Sequence, residues 1–330
     1  MKRSKTISPE IDKILKLIKE KDRFLIASHK DPDGDSVGSQ LGLYGILTNA
    51  GKTVQIVNQG GLPEKYAFLD SRGLIAFDNS ALKFMPDVVF VLECPSLERI
   101  GNVQKLIPES APIINIDHHR DNGNYGDVNL VDIYRSAVGE LIFDIVDSGD
   151  YEITPEIAED LYAAVVCDTG NFRFASTTSQ GMKIAADLID RGANPKKIFD
   201  HIFSKFTPAT LRLLGLTLSS LKVTAGGLVS YMEVSLDSVA RARARMEDSE
   251  GFVDYCLAVS GVMMGILFKE IVKNEIKISV RSQNGIDAAG FARRFNGGGH
   301  INAAGFSLDG GLSEIVNKVL ADATEYVRGK

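Results

Sequence analysis

The 330-residue chain has no tryptophan, only three cysteines and five histidines, and no excess of positive charge. Cys94, Cys167 and Cys256 fall in no close pairing, so they form neither a disulfide framework nor a zinc ribbon and point to a reducing, cytoplasmic setting. With 37 basic against 43 acidic side chains the formal charge is −6, which argues against a broad basic face for duplex DNA or an anionic membrane. A local basic pocket for a small anion stays compatible with that balance. The longest nearly apolar run, 257–268, is shorter than the ~20 residues that span a bilayer. The start, MKRSKTISPEIDKILKLIKEKD, is basic but broken by Lys or Glu every few positions; it lacks the apolar centre of a signal peptide and reads as an amphipathic helix.

What is present is an ordinary globular composition, 44% hydrophobic and 24% charged, and a length that suggests two domains. In the first half, FLIAS (24–28), VQIVN (54–58), VVFVL (88–92) and IINI (113–116) are near-continuous apolar runs, as expected of parallel strands buried on both faces. Helical patterns lie between or after them: 36–50 closed by Gly51, a helix from Thr154-Pro155 to Asp168, another over 179–191 stopped by Gly192, and a start at Asn194-Pro195. A Leu-rich connection at 206–227 ends in Gly226-Gly227. Beyond it we expect a strand at 228–235, an apolar helix around 252–271, a strand at 275–280, and then the glycine-rich FNGGGHINAAGF.

The scarce histidines have unusual neighbours. His29 opens HKDPDGDSVGS directly after an apolar strand, with Asp31, Asp33 and Asp35 within six residues; His118 and His119 follow Asp117 at the end of IINI. In open α/β sheets ligands bind beyond the carboxyl ends of the strands, where His29, Glu93 and Asp117 all fall. Carboxylates this close repel unless a cation neutralises them, and imidazole with carboxylate but no thiolate suits Mn²⁺ or a similar divalent ion. Two ions ~3.5–4 Å apart would clamp a phosphoryl group undergoing in-line displacement. Each piece alone has an ordinary explanation, a turn for the Asp-Gly loop and a structural role for the His pair. Their joint occurrence at the ends of apolar elements makes the case. Later in the chain Gly297-Gly298-Gly299-His300 allows backbone N–H groups to converge on an anion, and Arg281 offers a planar fork for phosphate.

These residues resemble the DHH phosphoesterase superfamily, specifically its DHH plus DHHA1 members of the oligoribonuclease and 3'-phosphoadenosine 5'-phosphate (pAp) phosphatase type. The first motif matches His29, Asp33, Asp35, Gly38 and Ser39, the third Asp117-His118-His119 with Asn122, and the fourth Asp168-Thr169-Gly170. Arg281-Ser282 and GGGHINAAG, 297–305, match the DHHA1 signature. In the second motif Glu93 stands where the family normally has aspartate, and Asn296 stands where it often has a fourth glycine. The resemblance implies an α/β protein, with a DHH catalytic domain at 1–205 built on a mainly parallel sheet flanked by helices, a linker at 206–227, and a smaller α/β DHHA1 substrate-binding domain at 228–330, the cleft lying between the domains.

By that likeness His29 and Asp33 bind one Mn²⁺, Asp35, His118 and Asp168 bind the other, and Glu93 bridges. His119 faces the reacting phosphate, Asp117 holds the histidine loop, and Arg281, Ser282, Gly297, Gly298, Gly299 and His300 grip the substrate. The implied reaction is in-line attack of a metal-bound hydroxide on short oligoribonucleotides (nanoRNA) and pAp. The partners are then short RNA and phosphorylated nucleotides, with no duplex DNA and no membrane, and a homodimer is compatible. An enzymatic alternative is a phosphodiesterase for cyclic or linear dinucleotides; an alternative of another class is a nucleotide sensor that has lost turnover through Glu93.

Overall fold

A computed structural model describes residues 8–77, 82–204 and 206–329, and the chain divides into two compact units at Lys205 and Phe206. In the first unit, helix α1 (Pro9–Glu20) starts where the Ser8 hydroxyl accepts from Ile11 N and Pro9 occupies the first turn. Ile11, Ile14 and Ile18 form its buried face. The part of the expected helix before Ser8 lies outside the described residues.

Six strands follow: β1 (Arg23–Ser28), β2 (Thr53–Asn58), β3 (Ile75–Phe77), β4 (Val88–Leu92), β5 (Ile113–Asp117) and β6 (Val128–Val131). All pair in parallel, in the order β3-β2-β1-β4-β5-β6. All five residues of β4 are buried, which is why its sequence shows no polar alternation. Strand order reverses between β1 and β4, so the loops leaving their carboxyl ends diverge and open a crevice.

Helices α2 (Gly34–Asn49), α3 (Val138–Ser148), α4 (Pro155–Asp168), α5 (Ser179–Asp190) and α6 (Pro195–Phe199) complete the unit. The glycines of α2 recur along the side that meets α4. A Cβ on Gly38 would stand 2.4 Å from the Asp160 carbonyl oxygen, and one on Gly42 2.6 Å from Leu161 Cδ2. At Gly38 the two helices therefore lie backbone to backbone, and the start of α2 meets the end of α4, where a Cβ on Gly34 would stand 2.0 Å from Cys167 Sγ.

The second unit comprises α7 (Pro208–Ser219), β7 (Lys222–Thr224), β8 (Val229–Val234), α8 (Leu236–Ala242), α9 (Val253–Leu257), β9 (Met264–Val272), β10 (Glu275–Ser282), α10 (Ala288–Arg293), β11 (Gly298–His300), β12 (Ala303–Asp309) and α11 (Leu312–Arg328). Its sheet runs β11-β12-β10-β9-β8-β7, antiparallel except for the β8–β9 pair. Residues 206–227, read as a connection, hold α7 and β7, and Leu213 is buried in one core with Met232, Val234 and Phe252. The helix expected around 252–271 is instead the short α9 followed by strand β9. A buried strand and a buried helix leave the same continuous apolar run, so periodicity alone could not separate them.

Candidate active site

Three parallel strands and two helices deliver the site. β1 ends next to His29, β4 next to Glu93, and β5 at Asp117 ahead of His118 and His119. Asp33 caps α2, its Oδ1 accepting from Ser36 N at 3.0 Å, Asp35 sits in that helix's first turn, and Asp168 is the last residue of α4. Glu93 takes a left-handed backbone (φ 55°), uncommon for a side chain of its size, at the point where the chain leaves the sheet.

The side chains converge. His29 Nε2 lies 3.1 Å from Glu93 Oε2, and His118 Nε2 lies 3.2 Å from Asp168 Oδ2 and 4.0 Å from Asp35 Oδ2. Three groups each keep their donor atoms within 4.8 Å of one another: His29, Asp33 and Glu93; Asp35, Glu93, His118 and Asp168; and Glu93, His118 and His119. Glu93 is common to all three. All six residues expected to bind metal are thus brought together.

The electrostatics show how poorly these carboxylates tolerate one another. Burial, reinforced by Asp168, holds the Asp35 carboxyl well above its usual range; burial with Asp33, Asp35 and Asp168 does the same to Glu93. Burial disfavours the His118 imidazolium, but its hydrogen bond to Asp168 and the charges of Asp168 and Asp35 outweigh it and push the ring up to about 10. Such a set, buried and self-repelling, with oxygen and imidazole donors and no thiolate, fits divalent cations.

The supporting contacts are specific. Asp35 Oδ2 accepts from Val138 N at 2.6 Å and Oδ1 from Gly139 N at 3.1 Å, so a metal-type carboxylate caps α3, whose N-cap residue Ala137 has no side-chain acceptor. Asp117 Oδ1 accepts from His118 N and from His119 Nδ1, each at 2.8 Å, and its Oδ2 accepts from Asn122 at 2.6 Å. Against the burial that opposes it, these hydrogen bonds keep Asp117 below the usual carboxylate range. Burial pushes both the Cys94 and Cys167 thiols up, which disfavours the thiolate form in the cysteines beside the site.

In the second unit Arg281 is part-exposed near the end of β10, its Nε 3.3 Å from Asp254 Oδ1. The buried Ser282 hydroxyl lies 2.6 Å from the Ile286 carbonyl and 3.1 Å from that of Ile301, so it is spent on pinning the chain around β11 rather than turned outward. Gly298–His300 form an edge strand, not an open loop. Gly299 needs to be glycine (φ 140°, with a Cβ only 2.4 Å from the Ala303 carbonyl oxygen), whereas nothing lies within 4 Å of a Cβ on Gly298. Asn296 is left-handed (φ 59°), a conformation that asparagine tolerates in place of glycine.

Residues 23–167 match the model of the DHH family, N-terminal domain, and residues 226–329 that of the DHHA1 domain. This chain belongs to the DHH/DHHA1 family. Among curated relatives of this DHH/DHHA1 protein, the bifunctional oligoribonuclease and PAP phosphatase NrnA of Thermus thermophilus is 33% identical over 91% of the chain and 89% of its own length. The protein of the same name from Bacillus subtilis is 28% identical over 89% and 92%. A crystal structure of an exopolyphosphatase-related protein from Bacteroides fragilis superposes with a TM-score of 0.91 at 29% identity, covering 98% of this chain and 97% of that one.

The main feature that sequence reasoning missed is the 132–139 segment entering α3. Its signal is faint, an Arg-Ser-Ala-Val-Gly-Glu run before apolar residues with no side-chain cap at Ala137.

Proposed function

We propose that the chain is a phosphoesterase that hydrolyses short oligoribonucleotides and pAp by in-line displacement with two Mn²⁺ ions. The observation that carries this reading is the position of Glu93, common to the His29–Asp33 group and to the Asp35–His118–Asp168 group. His29 and Asp33 would hold one cation, Asp35, His118 and Asp168 the other, and Glu93 both. Such a pair supplies Lewis acidity to phosphoryl oxygens and a nucleophile from water at neutral pH.

The chain's own residues do the rest. Asp117, kept ionised, can only accept, so His119 donates from Nδ1 and the carboxylate orients the ring. That orientation would turn His119 Nε2 toward a phosphoryl oxygen, where in the doubly protonated ring it would donate as negative charge builds. Arg281 pairs its planar guanidinium with a terminal phosphate of the substrate. Beside it, His300 and the edge strand Gly298–His300 add donors, and the absence of any group near a Cβ on Gly298 leaves room for a phosphate to approach the main chain.

The two NrnA relatives support this substrate class, and the acidic composition favours short substrates. A net charge of −6 gives the chain no general attraction for the many phosphates of a long single strand. The test supplies purified protein and Mn²⁺ with pAp, RNA of two to five nucleotides, a 24-mer, linear and cyclic dinucleotides, and pyrophosphate. Orthophosphate from pAp and mononucleotides from short RNA, both far faster than turnover of the 24-mer, are expected. Binding without release would leave a sensor, and activity confined to a cyclic dinucleotide would replace the substrate class.

A further inference from the structure

One segment outside the Asp35–Glu93–His118–Asp168 group touches two of its four members and reaches a third through Ser176. The Arg135 carbonyl oxygen lies 3.1 Å from His118 Nδ1. A carbonyl only accepts, so Nδ1 carries a proton whatever the state of Nε2, the nitrogen turned toward Asp168 and Asp35. Val138 N and Gly139 N hold the two oxygens of Asp35. The Ser136 hydroxyl donates to the Ser176 carbonyl at 2.8 Å, and the Ser176 hydroxyl donates to the Asp168 carbonyl at 3.2 Å.

The same segment is clamped by its own arginine. Arg135 Nε lies 3.4 Å from Asp132 Oδ2, Nη1 3.4 Å from Glu140 Oε2, and Nη2 bonds Asp144 Oδ2. The fully buried Glu140 side chain also accepts from Ser136 N at 3.0 Å, and Asp132 N donates to the Asp117 carbonyl at 3.1 Å. With Glu140 fully buried and Asp132 and Asp144 part-buried beside it, the guanidinium is the charge that offsets the repulsion among the three carboxylates. His29 and Asp33 are held differently, by the Lys30 carbonyl and the Ser36 amide.

We propose that Arg135 is a positioning residue for one of the two metal sites: clasped by Asp132, Glu140 and Asp144, it fixes the 135–139 segment, whose main chain sets the His118 tautomer and aims the Asp35 carboxylate. The proposal rests on the two-cation reading above. It separates the sites, since the His29–Asp33 side does not depend on this buckle.

The experiment is a Mn²⁺ titration of the full chain, followed by calorimetry and by the electron-paramagnetic signal of free Mn²⁺, on wild type, Arg135→Lys and Asp144→Asn. Lysine keeps the charge but lacks the fork, and Asp144→Asn removes a single strut. The ring ¹H–¹⁵N signals of His118 are recorded alongside in metal-free protein. Wild type is expected to bind two equivalents and to show a slowly exchanging His118 Nδ1 proton. Arg135→Lys is expected to weaken one class of Mn²⁺ by roughly 10–100-fold, the range for partners that orient metal ligands, with the other class unchanged and the Nδ1 signal lost. Asp144→Asn should weaken the same class by less, and it decides the matter if Arg135→Lys does not fold. Equal weakening of both classes, no weakening, or an unchanged Nδ1 signal would overturn the proposal. Fewer than two equivalents in wild type would instead sink the two-cation reading, and the Nδ1 signal then judges Arg135 by itself.

Discussion

Glu93 Oε2 stands 3.1 Å from His29 Nε2, joining the residue after β4 to the residue after β1 across the point where strand order reverses. The crevice of a doubly wound sheet is thereby bridged by a carboxylate and an imidazole, and that carboxylate also reaches the Asp35–His118–Asp168 side. Its extra methylene relative to aspartate comes with a left-handed backbone at the same residue.

Because Glu93 is shared, Glu93→Gln should cost both cations together. We expect turnover to fall by more than about 100-fold, at or beyond the upper end of what loss of a ligand-orienting partner costs, with bound Mn²⁺ falling in parallel. Metal analysis after gel filtration alongside the pAp assay checks this. A variant that retains two equivalents and turns over normally would exclude a bridging role.

Asp35→Asn should damage the fold as well as the site. Each carboxylate oxygen accepts a backbone N–H at the start of α3, and an amide would put an NH₂ group against one of those donors. The expected cost is about 1–3 kcal/mol of stability even in chelator, the price of a buried donor left unmade. Urea denaturation of metal-free protein measures it, and an unchanged midpoint would show that Asp35 is not a cap.

The pH dependence has a definite sign. Asp35 and Glu93 are held well above their usual range by burial and by neighbouring carboxylates. Between the ordinary carboxylate range and those raised values the native metal-free protein binds more protons than the unfolded chain, so its stability declines as pH rises through that window. Asp33 and Asp117, held low, act in the opposite sense, and their contribution is complete above the ordinary carboxylate range. Metal-free protein is therefore expected to melt lower at about pH 8 than at about pH 5.5, while Mn²⁺ affinity increases and binding releases protons, because cations displace protons from these ligands. Melting curves in chelator and calorimetry in buffers of different ionisation enthalpy test both halves. Metal-free stability that climbs with pH would contradict the carboxylate assignment.

His300→Ala should separate grip from chemistry. A lost charge-assisted hydrogen bond to phosphate is worth about 1.5–3 kcal/mol, so KM for pAp should rise roughly 10–100-fold. Metal content should not change, since every proposed ligand lies in the first unit. Loss of Mn²⁺ in this variant would refute that division.

The strand ends were legible because apolar runs stop abruptly at His29, Glu93 and Asp117, and the crevice rule then places those residues together. The start of α3 was not, because its cap arrives from Asp35, 103 residues away, and no local pattern reports it. Arg135 was hidden for the same reason, its effect passing through main-chain atoms that any residue possesses. The stretch around 252–271 was misread because burial on both sides removes the polar alternation that marks a strand. Asn296 kept its place through backbone conformation, which composition does not display.

The glycine stripe of α2 has a mechanical meaning. Where side chains separate two helices, the gap can be trimmed by rotamer changes; where main chain meets main chain, as at Gly38 and the Asp160 carbonyl, there is no such compliance. That hard stop lies about one turn inside α2 and two turns before the end of α4, and Asp35 and Asp168 ride on the two helices it holds. Any side chain inserted at Gly38 would be transmitted to the spacing of Asp35 and Asp168 with little loss, so a residue outside the Asp35–Glu93–His118–Asp168 group acts as the gauge of the distances within it.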